Sequence, residues 1–81
     1  MESRVAVISI IVEEEEAVSR LNALLHEYAR YIIGRMGLPY REKGVSIICV
    51  AIDAPNDRIN ALTGAVGRLK GVNAKATYSN V

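Results

Sequence analysis

The residues best suited to chemistry lie in one stretch, Arg30 to Lys43. There Arg30, Arg35, Arg41 and Lys43 stand against a single acid, Glu42, a local balance of 4 − 1 = +3. Tyr31 and Tyr40 sit among them, and Gly37 and Pro39 give the segment a defined turn. Guanidinium groups and backbone N–H donors together can hold an anion, so Arg35, Tyr40, Arg41 and Lys43 form the candidate ligand set. A solvated hairpin connection whose charges pair between subunits explains the same residues with fewer assumptions, and it ranks ahead. Four consecutive glutamates, Glu13 to Glu16, precede a helical pattern, where the positive end of the helix dipole favours negative charge. That role accounts for them better than a metal centre, because hard cations take acids spaced around a turn. His26 falls near the end of the same helix and reads as a partly exposed residue favoured by the dipole. Cys49 reads as a small core or interface residue. No residues are assigned to metal binding or catalysis, and nothing indicates a cofactor.

The elements that must position these residues follow from periodicity. Arg4 to Val12 is apolar on both alternations and β-branched, the pattern of a strand buried on two faces. From Ala17 the apolar residues Val18, Leu21, Leu24, Leu25 and Tyr28 form a helical stripe. Tyr31 to Met36 is a weaker strand interrupted by Gly34, and Gly37 to Gly44 reads as a loop. Val45 to Ile52 repeats the character of the first strand. Asp53 to Asp57 signals a helix start with Pro55 at the first helical position. The second helix carries Ile59, Leu62, Ala65, Val66 and Leu69 and stops at Gly71. Val72 to Ser79 alternates as a half-exposed strand. Gly64 and Gly67 each cost a helix about 1 kcal/mol against alanine. Close packing on the sheet or on a neighbouring subunit is the ordinary compensation.

The order β-α-β-β-α-β predicts an α+β ferredoxin-like sandwich, a four-stranded antiparallel sheet with two helices on one face, and one domain over residues 1–81. The first and third strands are central. The second and fourth, which carry Arg35, Lys75 and glycine, are edges. Helices on one face leave the other face bare, yet its alternation is as apolar as the covered one. Val5, Val7, Val45, Ile47 and Cys49 therefore define a candidate oligomer interface, and the chain is expected to be a homodimer or tetramer.

Several uses of this topology fail at their residues. An RNA-recognition sheet needs aromatic residues on its central strands, and these have none. A soft-metal chaperone needs paired thiols, and the chain has 1 cysteine. A phosphate cradle after the first strand would meet the four glutamates. No nucleophile–base pair suggests an enzyme. A net charge of +1 argues against direct nucleic-acid binding, and no apolar run is long enough for a membrane. The lone cysteine and an opening, Met1-Glu2-Ser3-Arg4, unlike a signal peptide lead to a cytoplasmic expectation.

The stretches LLHEYARYIIGRMGLPYREKG and SIICVAIDAP closely resemble a family of small regulators of the iron-only hydrogenase system. The resemblance runs over essentially the whole chain. It implies an ACT-like fold, shared with ligand-sensing ACT domains and with the C-terminal domain of the nickel-responsive repressor, and a regulatory or sensor role. The repressor's nickel site uses histidines and a cysteine around its second strand, and Tyr31 to Gly37 contains neither. ACT domains that bind amino acids usually place a glycine in the turn after the first strand, where this chain has glutamates. The expectation is a homo-oligomeric module sensing a small, anionic effector. The alternative is a scaffold binding a regulatory or hydrogenase-maturation protein with no small ligand.

Overall fold

The computed structural model describes residues 2–80. The chain runs β1 (Ser3–Val12), α1 (Ala17–Glu27), a 3-10 turn (Ala29–Tyr31), β2 (Ile32–Tyr40), β3 (Val45–Pro55), α2 (Asn56–Gly67) and β4 (Val72–Tyr78). The strands form one antiparallel sheet in the order β2-β3-β1-β4, so β1 and β3 are central as the patterning requires. This is the βαββαβ ferredoxin-like α+β fold.

Burial divides the two alternations of each central strand. Ala6, Ile8, Ile10 and Val12 of β1 and Ile48, Val50, Ile52 and Ala54 of β3 are buried in one core with Leu21 and Leu25 of α1 and Ile59, Leu62 and Val66 of α2. The other alternation is open, with Val5 40% and Val7 42% exposed. The central strands are thus buried on one face only, which corrects the two-faced reading of Arg4 to Val12. Their second apolar alternation comes from a surface and not from a second layer of the core.

Three boundaries also differ from the periodicity. The second strand begins at Ile32, with Tyr31 in the 3-10 turn, and it continues through Gly37-Leu38-Pro39 to Tyr40. The expected loop shrinks to Arg41–Gly44, because pairing with β3 imposes extended backbone on residues whose own preference is for turns. A bulge at Ile32/Gly34 leaves Ile33 as the extra residue, 64% exposed. Pro55 ends β3 and precedes α2 with φ −55° and ψ 145°, so it caps the helix from outside and does not open it. Helix α2 ends at Gly67, although Leu69 still packs on the core. The glycines of α2 are not explained by tight packing within the chain. A Cβ at Gly64 would meet only the Arg68 guanidinium at 3.3 Å, and one at Gly67 would lie 4.0 Å from Ala74.

Gly71 is different. It has φ +76°, and a Cβ there would lie 2.7 Å from Glu14 Cγ. Its carbonyl accepts a hydrogen bond from the Glu13 N–H at 2.7 Å, which locks the α2–β4 turn to the corner after β1. Gly44 also has a positive φ, +66°, but open space around it. Gly71→Ala is expected to cost about 2–3 kcal/mol, adding a clash to the backbone strain, and Gly44→Ala about 1 kcal/mol for the backbone alone. Urea denaturation of the two variants checks the order; equal losses would remove the role assigned to Glu14.

Among the described residues, no helix is long and apolar enough to cross a membrane.

Candidate functional site

The register places the site. Val12, the last residue of β1, pairs with Ser46 near the start of β3. The glutamate corner after β1 therefore sits beside the turn that joins β2 to β3. Helix α1 leaves this corner with no side-chain cap; instead the Ala17 and Val18 N–H groups donate to the carbonyls of Glu14 and Glu15 at 3.0 and 3.1 Å. The β2–β3 turn is closed by Lys43 N–H to Tyr40 O at 3.3 Å and Gly44 N–H to Arg41 O at 3.1 Å. Strand β2 is exposed along its length beyond Ile32, so no helix covers this end of the hairpin.

Between α1 and the overhanging hairpin lies an open cleft of about 870 Å³. Glu15, Glu16, Ser19 and Asn22 form one wall, Pro39, Tyr40, Arg41 and Ser46 the other, and Val12, Val18 and Val45 supply apolar surface. The walls carry opposite charge: two carboxylates on the α1 side and a guanidinium on the hairpin. A ligand here could be met by hydroxyl, amide and ionic groups together.

The four residues of the candidate ligand set are not gathered in one place. Arg41 and Tyr40 border the cleft. Tyr40 pairs with Val45 and shares the open sheet face, so it stands at the rim between cleft and sheet, 44% exposed. Arg35 pairs with Val50, which is buried on the helix side, and its Nη2 donates to Asn22 Oδ1 at 3.0 Å. Arg35 thus fixes a cleft-lining amide while itself bordering a smaller hollow, of about 270 Å³, with His26. Lys43 lies in the turn and does not line the cleft.

Glu15, Glu16, Ser19 and Asn22 were not in the candidate set, since the glutamates are already explained by the helix dipole. The signal that brings them in is positional, because antiparallel pairing of β1 with β3 sets their corner next to the hairpin turn. Among the described residues Glu14 forms an ion pair, with Lys70 at 3.9 Å, and both partners are solvated, which gives it little weight in stability. No group of three or more His, Cys, Asp and Glu side chains among the described residues could hold a metal ion. His26 is exposed in the last turn of α1, and Cys49 is half-buried.

On the opposite side of the sheet, Val5, Val7, Ile47 and Cys49 share one face with Val45, which stands at the rim beside Tyr40 and also borders the cleft. Register adds Met36 and Leu38 of β2, which are 55% and 50% exposed. They escaped the sequence reading because their segment scans as a strand end and a loop. The polar residues Asn73, Lys75 and Thr77 of β4 bound the patch on one side.

A family model described as "Iron-only hydrogenase system regulator, putative", named TM1266-like, matches residues 4–76. The chain belongs to the TM1266-like family. The solved structure of the uncharacterized protein TM1266 from Thermotoga maritima is 36% identical and superposes with a TM-score of 0.91, covering 95% of this chain and 98% of that one. A formyltetrahydrofolate deformylase from Pseudomonas putida KT2440 superposes with a TM-score of 0.69 at 16% identity, over 95% of this chain and 29% of that chain. This second likeness concerns the fold alone. No curated protein matches the sequence. The description of the TM1266-like family is that of a regulator and names no catalysed reaction.

Proposed function

We propose that this TM1266-like chain is a non-catalytic, homo-oligomeric sensor that acts in regulation of the iron-only hydrogenase system. In this reading a small effector binds in the cleft between α1 and the β2–β3 hairpin, and the bare sheet face joins the subunits. The observation that carries it is the cleft itself, with Glu15 and Glu16 facing Arg41 across an opening of small-molecule size. Arg41 supplies a bidentate donor for a carboxylate or phosphate, and the hydroxyls of Ser19 and Ser46 supply neutral partners. The glutamates disfavour an anion that fills the whole cleft. The effector class they favour has an anionic end toward Arg41 and a cationic or hydrogen-bond-donating end toward α1.

A thermal-shift screen of metabolites and metal ions tests the reading. A compound bound at 100 times its Kd raises stability by about 2.7 kcal/mol, which is about 11–22 °C in a domain this small. Arg41→Glu is expected to abolish the shift while leaving the unliganded melting temperature within about 1–2 °C of wild type, since exposed charges contribute little. A screen with no stabilising compound argues for the second reading, a scaffold that docks a regulatory or hydrogenase-maturation protein without a small ligand. That alternative is favoured by the exposed apolar sheet face, and a stoichiometric partner co-purifying from the native host is the result it requires.

A further inference from the structure

The open sheet face has an order that self-association alone does not require. Its residues fall into rows across the strands. One row is bulky, Leu38, Ile47 and Ile11; the next is Met36, Cys49 and Ser9; and the third is lean on β2 and β3, with Gly34 and Ala51, and has Val7 on β1. We infer that two copies stack these faces about a two-fold axis that runs across the strands and passes over Cys49. This rests on the proposed self-association through that face and adds its symmetry.

With the strands of the two sheets nearly aligned, the usual packing of twisted sheets, a two-fold axis in the plane between them runs either across the strands or along them. Across them, the axis exchanges the rows on either side of Cys49. Leu38 and Ile47 of each copy then settle over Gly34 and Ala51 of the other, large side chains over small ones, and Ile11 meets Val7. Along them, every residue of β3 meets itself. Ile47 would collide with Ile47 while Ala51 would leave a gap at Ala51, and close packing penalises both.

Charge selects the same arrangement. Asp53 pairs with Val5 and is exposed at one end of the open face. With the axis along the strands it would face its own copy, and like charges in a partly dehydrated contact repel strongly. With the axis across them, it lies under the hairpin end of the second copy, where β3 begins at Val45 and the preceding turn holds Arg41 and Lys43. Lys75, in the Cys49 row on β4, would meet its own copy, but it sits at the rim and its long stem carries the ammonium into water.

The size is sufficient. Three strands at about 4.8 Å spacing and five rows at about 6.7 Å give roughly 480 Å² of flat area per copy. The two faces with their side-chain relief pass about 1,000 Å², the scale of a specific contact.

Thiols at the centre of a stacked contact are closed to reagents, so the probes sit at its polar rim, in a Cys49→Ser background that removes the 1 native cysteine. Lys75 lies in the Cys49 row on β4 and is exposed. With the axis across the strands, Lys75→Cys stands about 10 Å from its own copy, and a short bismaleimide is expected to give a covalent dimer. With the axis along β3, the two β4 strands lie on opposite sides of the stack, about 19 Å apart sideways, and no cross-link forms. Asn73→Cys and Thr77→Cys flank that row. Mixed, they are expected to cross-link between variants, while each alone does not, because its thiols would stand about 13 Å apart along the sheet. A dimer by native mass spectrometry in which Lys75→Cys gives no cross-link and the mixture adds nothing overturns the symmetry. The face itself is read separately, by whether Ile47→Asp dissociates that dimer. A monomer overturns the symmetry and the oligomer with it.

Discussion

Ile47→Asp is expected to leave the protein folded and to weaken its self-association at least 100-fold. Ile47 lies near the start of β3 on its bare face and is 36% exposed, outside the cluster that packs against the helices. In a separate subunit the new carboxylate is solvated, and the core does not register it. In a stacked pair it is buried against apolar residues with no partner. Desolvating an unpaired carboxylate costs several kcal/mol, and each 1.4 kcal/mol is tenfold in the dissociation constant. Sedimentation velocity over a concentration series reads the change, with circular dichroism to show that the fold is kept. Thr77→Asp, at the polar border of the face, serves as the comparison and should shift the constant less than tenfold. An unchanged oligomer in Ile47→Asp would remove the sheet face as the subunit contact.

The second large effect concerns the fold. Leu21→Ala removes a fully buried side chain, 0% exposed, from the middle of α1 where it rests on the sheet. Such truncations cost about 2–5 kcal/mol, the lost transfer energy together with the cavity left behind. A domain of this length holds a total of about 4–12 kcal/mol. The melting temperature should therefore fall by about 8–40 °C at a fixed protein concentration, at about 4–8 °C per kcal/mol. Concentration must be fixed because association stabilises by mass action. A loss below about 1 kcal/mol in urea denaturation would mean that α1 is not seated on the sheet as described.

Most of the fold was legible because each level of the sequence agrees with the next. The β-branched runs at Val5–Val12 and Val45–Ile52, the helical stripe from Ala17 and the alternation from Val72 each specify one element, and their order admits few topologies. What could not be read was the length of β2. Gly34, Gly37 and Pro39 scan as a broken strand and a loop, and only hydrogen bonding to β3 holds them extended as far as Tyr40. Local preference gave way to tertiary pairing. The same hidden length concealed the site. A hairpin that outruns α1 creates the cleft, and it carries Met36 and Leu38 onto the bare face. Arg41 was found by its charge; Glu15 and Asn22 could be found only from the register of β1 against β3. Glu15 and Glu16 also show that one residue can have a sufficient local reason and still line a cleft.

The wall of the cleft formed by β2 pairs with a single strand, β3, and is exposed beyond Ile32, with the exposed Arg35–Asn22 hydrogen bond tying it to α1. Strands with so few buried contacts open locally at far lower free energy than the core to which they are attached. Such an edge is a soft element beside a hard one, and the boundary between them runs along the β2–β3 hydrogen bonds. A molecule that bridges α1 and the hairpin also ties this soft edge to the rest of the sheet. Its affinity and the rigidity of β2 then become two measurements of one free energy, and anything that stiffens the strand from its other face tightens the cleft by the same amount.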